Sequence, residues 1–340
     1  VTTQPFAHAL RTRFKEAAMH DVRLGTTDLH VSAVGLGTWS YGSDWGAVDV
    51  AAATDTIHRA LDLGINLFDT AQAYGFGKAE RVLADALWQR VQRDDVVVAT
   101  KGGLRMDGTR VLRDASPGWL REGVEQSLRH LRTEYIDLYQ VHWPDPRTPL
   151  EETGTALAAL VAEGKVRHVG VSNFDAEQLA ELGRFVQVET LQPPYHLFRR
   201  QIEADVLPYC AIHDIGVLVY GPLAHGLLGG TMTAGTTFPP GDWRGQSPDF
   251  TGDRFATNLA VVDELEAFAA RRGISLAELA VAWTLAHPTV DVALVGTRRA
   301  DHLDRLVDAA DVKLDTDDLA GIDRIVQRAL PVRGPAPEGM

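Results

Sequence analysis

The stretch INLFDTAQAYGFGKAERVLADALWQRVQRDDVVVATK, residues 65–101, decides the fold. It opens on a short apolar run, INLFDT (65–70), and closes on a second, VVVATK (96–101). Between them Ala79, Val82, Leu83, Ala86 and Leu87 recur at i, i+3, i+4, i+7 and i+8, which places one apolar stripe along a helix. Near-continuous hydrophobicity in the flanking runs suits strands buried on both faces, and parallel neighbours need a helical crossover of this kind.

The same unit repeats outward in both directions. Further strand-like runs are VSAVGLG (31–37), IDLYQVH (136–142), RHVGVSN (167–173), VETLQ (188–192), GVLVYG (216–221) and VALVG (292–296). Helical signals lie between them. Ser116 and Pro117 read as N-cap and first helical residue, and Asp175 with Gln178 and Ser275 with Glu278 read as capping boxes. Gly164, Gly183 and Gly273 stand where helices should stop. Eight strands alternating with helices predict an α/β fold, a (β/α)8 TIM barrel. Two additions are expected: a β-hairpin within residues 22–34 that plugs the N-terminal end, and a long loop after strand seven, residues 229–253, read either as a mobile lid carrying Trp243 and Phe250 or as a disordered insertion.

Bulk properties narrow the function. A net charge of −13 over 340 residues argues against nucleic acid and anionic membrane as partners, since both require a basic surface. No run approaches the roughly 20 apolar residues of a membrane span, and Cys210 is the single cysteine, so a cytoplasmic protein without a disulfide is expected. The twelve histidines fall in no metal-ligand spacing, so no metal is expected. Residues 1–18 read as an extension outside the fold, with the functional chain expected to begin near Met19 and residues 19–340 to form one domain.

Barrel geometry brings the C-terminal ends of the strands to one mouth. Those ends carry Asp69, Lys101 and His142, and Tyr74 lies in the loop after strand two. Each alone has an ordinary reading as a cap, a solvated strand end or a packed ring. Together an acid, a phenol, an amine and an imidazole form a proton-transfer site whose reaction this geometry leaves open.

At these residues the chain resembles the aldo-keto reductase family. GLGTW (35–39), FDTAQAYG (68–75), TKGG (100–103), DLYQVHWPD (137–145), GKVRHVGVSNF (164–174), LQPPYHLF (191–198), YGPLAHGLL (220–228) and LVGTRRADHL (294–303) occur in the family's order and spacing. The resemblance implies a catalytic tetrad of Asp69, Tyr74, Lys101 and His142. Tyr74 would protonate the carbonyl oxygen, Lys101 paired with Asp69 would stabilise the phenolate, and His142 would orient the carbonyl. It also implies NADPH as cofactor, with NADH as the alternative. Ser172, Asn173 and Gln192 would hold the carboxamide and Tyr220 would stack on the nicotinamide. Thr38, Trp39 and Asp69 would border the pocket, and Gly221, Leu223 and Gly226 would run along the pyrophosphate.

Gly296, Thr297, Arg298 and His302 would wrap the adenosine end, with Arg298, and Arg299 beside it, facing the 2′-phosphate. Gly221, His302 and Leu306 depart from residues common in the family at those places. Trp39, Tyr74 and Trp143 would wall a substrate pocket for a small carbonyl compound, apolar, aryl or sugar-derived. Two rivals stand beside this reading. One is a cofactor-binding regulatory subunit of the potassium-channel β type. The other is a barrel isomerase or lyase that uses Lys101 as a Schiff-base amine.

Overall fold

The computed structural model describes residues 21–42 and 46–339; the expected extension, residues 1–18, and Met19 lie outside them. Eight strands close into a parallel barrel: β3 (Val34–Gly37), β4 (Leu67–Asp69), β5 (Val97–Gly102), β8 (Ile136–Val141), β9 (Val166–Ser172), β10 (Thr190–Gln192), β11 (Gly216–Tyr220) and β12 (Val292–Val295). β12 pairs with β3, with Leu294 opposite Gly35, and this closes the circle. Helices stand between most of the strands, and the stripe read from residues 79–87 forms α1 (Lys78–Leu87), with every one of its apolar members buried.

The run 31–37, read as one strand, is two. β1 (Asp21–Arg23) and β2 (His30–Ser32) form an antiparallel hairpin, and the barrel strand begins only at Val34. The hairpin's Leu24, Leu29 and Val31 pack with Leu67, Val97, Leu138, Leu218 and Val292 to fill the lower barrel. At the hairpin turn Gly25 has φ +54°, and a Cβ there would come within 2.3 Å of the Gly216 nitrogen, so only glycine fits.

Both expected capping boxes form. Ser116 stands at the N-cap position before Pro117, but its hydroxyl donates to Asp114 instead of capping the helix. A second hairpin, β6 (Leu104–Asp107) with β7 (Arg110–Arg113), follows β5 directly. Nothing in the reading of the sequence anticipated it, although its two-residue turn, Gly108–Thr109, opens on a glycine with φ +62°.

The segment 229–253 holds only short 3-10 turns before the long helix Gly252–Arg271. Phe250 is buried in the core, 2% exposed, so it anchors the segment and does not face outward from it. Asp249 accepts from the Arg333 backbone N–H and from the Arg254 guanidinium, which ties the segment to the C-terminal strap. Among the described residues no helix is long and apolar enough to cross a membrane.

Candidate active site

The uppermost layer inside the barrel is polar. Asp69, Lys101, Gln140 and Gln192 arrive from β4, β5, β8 and β10, and all are buried. Lys101 Nζ lies 2.5 Å from Asp69 Oδ1, donates to the Thr70 carbonyl at 2.9 Å and stands 3.3 Å from Tyr74 Oη. Asp69 Oδ2 accepts from Gln192 Nε2 at 2.8 Å and from Gln140 Nε2 at 3.4 Å. The carboxylate therefore ends with both oxygens occupied. Burial lowers the Lys101 pKa, outweighing the upward pull of Asp69 and Glu80.

Tyr74 reaches this layer from the loop beyond β4, where Gly75, Phe76 and Gly77 all have positive φ and turn the chain tightly into α1. Its ring stacks beside Trp39 at 6.3 Å and meets the His142 ring edge-on at 5.6 Å. His142 is 7% exposed, and its Nδ1 has no hydrogen-bond partner. Burial, reinforced by the Lys101 charge, holds its pKa well below the usual imidazole value, so the ring is neutral at pH 7. A neutral imidazole still offers one N–H donor.

These groups open into a cavity of about 290 Å³. Asp69, Tyr74, His142, Trp39 and Trp143 line one part of it, and Ser172, Asn173, Gln192 and Tyr220 line the adjoining wall. Asn173 has φ +64°, which turns its amide so that Nδ2 donates to the His142 carbonyl and to Ser172 Oγ, both at 3.0 Å. Tyr220 Oη donates to Asn173 Oδ1 at 2.9 Å, and burial pushes that phenol up to about 12. Beyond Tyr220 the wall continues as Gly221, Pro222, Leu223 and Gly226, then Gly296, Thr297 and Arg298.

This donor set fits a nicotinamide dinucleotide. Amide and hydroxyl groups stand at one end, and bare glycine backbone lines the middle, where a Cβ at Gly226 would come within 3.1 Å of the Arg244 and Met232 side chains. A guanidinium stands at the other end. Gln192, expected to bind the carboxamide, also spends its amide N–H on Asp69 and on Gln140.

Three expected contacts do not reach the cavity. Thr38 is fully buried and its hydroxyl donates to the Asp69 carbonyl, while His302 is exposed in the turn Ala300–His302. Arg299 lies outside the cavity lining and is bound through two nitrogens to Asp301. Arg298 does line the cavity, facing Asp242. Against the upward push of burial, the Arg244 hydrogen bonds and the Arg244 and Arg298 charges hold Asp242 below the usual carboxylate range.

The cavity also uses Ser40, His225, Arg244, Gly334 and Pro335, which the reading of the sequence missed, and Gln140 supports it from below. Gln140 had a signal, as a polar residue two places before His142 in a mostly apolar strand. Gly334 and Pro335 had none, because the C-terminal segment reaches the mouth only through long-range contacts. Arg333 N–H donates to Asp249, and the Val332 N–H donates to the Phe198 carbonyl.

Residues 33–327 match the model of the Aldo/keto reductase family. An aldo-keto reductase of Bacillus subtilis, YhdN, is 41% identical over 314 residues, covering 92% of this chain and 95% of the relative. The NADH-specific methylglyoxal reductase of Escherichia coli is 34% identical over 312 residues, covering 87% and 95%. The solved structure of a glycerol dehydrogenase from Gluconobacter oxydans superposes with a TM-score of 0.84 at 41% identity, covering 94% of this chain and 98% of that one.

Proposed function

Because the chain belongs to the aldo/keto reductase family of oxidoreductases, we propose that it reduces an aldehyde or ketone to the alcohol with NADPH, with Tyr74 as proton donor. The observation that carries this reading is the Tyr74–Lys101–Asp69 contact chain beside a neutral His142, open to a cavity with nicotinamide-type donors. When bound, the cofactor supplies the hydride.

The protein's own part is proton and charge control. His142 N–H holds the substrate oxygen near Tyr74 Oη. Tyr74 gives its proton to that oxygen, and the Lys101 ammonium, 3.3 Å away, stabilises the phenolate left behind. Asp69, saturated by Lys101, Gln192 and Gln140, fixes the ammonium in place. Trp39 and Trp143 keep bulk water from the reacting oxygen.

Arg298 is the group we assign to the 2′-phosphate of NADPH. The E. coli relative, named as NADH-specific, makes the opposite preference the sharpest challenge. Quenching of tryptophan fluorescence by NADPH and by NADH, in wild type and Arg298→Ala, decides it. We expect wild type to prefer NADPH and the variant to lose about tenfold in NADPH affinity, the strength of one charge-assisted hydrogen bond, with little change for NADH. Equal loss for both would remove Arg298 from that role. Tight binding without turnover of any aldehyde would favour the regulatory reading.

A further inference from the structure

We propose that His225 is a specificity-determining residue of the cavity, a polar anchor for a hydroxyl group, and that the preferred substrates are hydroxylated aldehydes or ketones over their apolar analogues. The proposal rests on the reductase reading above and concerns the same cavity.

His225 lines the cavity and is 7% exposed, and its Nε2 has no hydrogen-bond partner. A buried polar nitrogen left unpaired is costly, and it points to a partner that arrives with a ligand. The ring has no freedom to turn away. Trp39, His196 and Trp243 meet it edge-on at 6.2, 6.1 and 5.1 Å. Its backbone sits at φ +57° between Ala224 at +48° and Gly226 at +96°, a strained run secured where Arg244 donates to the His225 carbonyl at 3.0 Å. Strain kept at a cavity wall holds a side chain in a defined place.

Space is kept at the unpaired nitrogen. Gly334 in the C-terminal strap also lines the cavity, and a Cβ there would come within 3.0 Å of His225 Nε2. Trp39 stands between the two sites, 6.3 Å from the Tyr74 ring and 6.2 Å from the His225 ring. Its neighbour Ser40 adds a second unpartnered polar atom, a buried hydroxyl oxygen, to the same wall. The aromatic wall thus carries polar groups beyond the catalytic end, where the tail of a carbonyl substrate would extend.

The charge state favours a hydroxyl partner. Burial and the neighbouring Arg199 and Arg244 charges lower the His225 pKa to about 3, despite the opposing Asp249 carboxylate. The imidazole is neutral at pH 7, with one N–H and one lone pair, which matches a hydroxyl that both donates and accepts. Arg244 is already committed to both Asp242 oxygens and to the His225 carbonyl.

The test compares kcat/KM for aldehyde pairs of equal chain length, glyceraldehyde with propanal and erythrose with butanal, in wild type, His225→Phe and His225→Asn. Asparagine tolerates the left-handed backbone and keeps a polar group, so it guards against a folding artefact. We expect wild type to favour the hydroxylated member, His225→Phe to lose about tenfold or more of that preference, and His225→Asn to retain part of it. An unchanged ratio in His225→Phe would overturn the proposal, and so would weakened NADPH binding with the ratio intact, which would assign the imidazole to the cofactor. Turnover without preference in wild type defeats the subsite alone. Absence of turnover for every pair with either cofactor defeats the reductase reading, and the subsite with it.

Discussion

At the lower end of the barrel Asp137 is held by Arg93, by Arg167 at 3.1 Å and by the Val98 N–H at 2.9 Å, while at the upper end Asp69 is held by Lys101, Gln192 and Gln140. Both carboxylates are buried and both are saturated. The difference lies one contact further out. Arg93 spends its remaining donors on Thr133, the Val96 carbonyl and the Tyr135 carbonyl, and its guanidinium lies 4.1 Å from the Tyr135 ring centre. Lys101 instead touches Tyr74, which faces a cavity beside a histidine whose Nδ1 is unpaired. A buried ion pair alone marks neither function nor structure; unspent polar atoms at an open cavity mark the site.

The strongest challenge to this contrast is to remove the cation at each end. Lys101→Met leaves Asp69 buried with two amides and no counter-charge. Stability should fall by about 3–5 kcal/mol and turnover by at least about 100-fold. Arg93→Ala should cost about 2 kcal/mol, less than Lys101→Met because Arg167 still pairs with Asp137, with kcat/KM within about twofold of wild type. Urea unfolding and steady-state rates on the two variants check both; a large rate loss in Arg93→Ala would erase the distinction.

A smaller effect separates the ends by the sign of their pH response. At the lower end His168 bridges Glu189 at 2.9 Å and Asp28 at 2.8 Å. Burial opposes its charge, but the two carboxylates prevail and raise its pKa. That contribution is full below the unfolded histidine value of about 6.5 and fades as pH rises through the higher folded value. With Asp28 almost fully exposed and His168 itself in partial contact with solvent, it should stay under about 1 kcal/mol. His142 works in reverse: its pKa is depressed, the unfolded chain binds the extra proton, and stability falls as pH drops below about 6.5. Urea midpoints from about pH 5 to about pH 8.5 should therefore show His168→Gln flattening the alkaline side only. Flattening on the acid side would contradict the assignment.

Much of this contrast was legible in the sequence, for identifiable reasons. The eight strands showed because each is a short apolar run bounded by helical periodicity, and strand ends gave Asp69, Lys101 and His142 directly. The break at Ala33 was hidden, since the hairpin strand and the barrel strand are both apolar and contiguous. The roles of Arg93 and His168 were equally hidden, because their partners lie elsewhere in the chain and no local pattern announces them. The strap that brings Gly334 to His225 depends on the same kind of long-range closure.

The central claim is that the upper cluster performs proton transfer, and Tyr74→Phe tests it by deleting one oxygen. Turnover of an aldehyde at saturating NADPH should fall by about 100- to 10,000-fold, while the NADPH affinity and the urea midpoint stay at wild-type values. Turnover within a few-fold of wild type would contradict the account, because the proton would then come from another group.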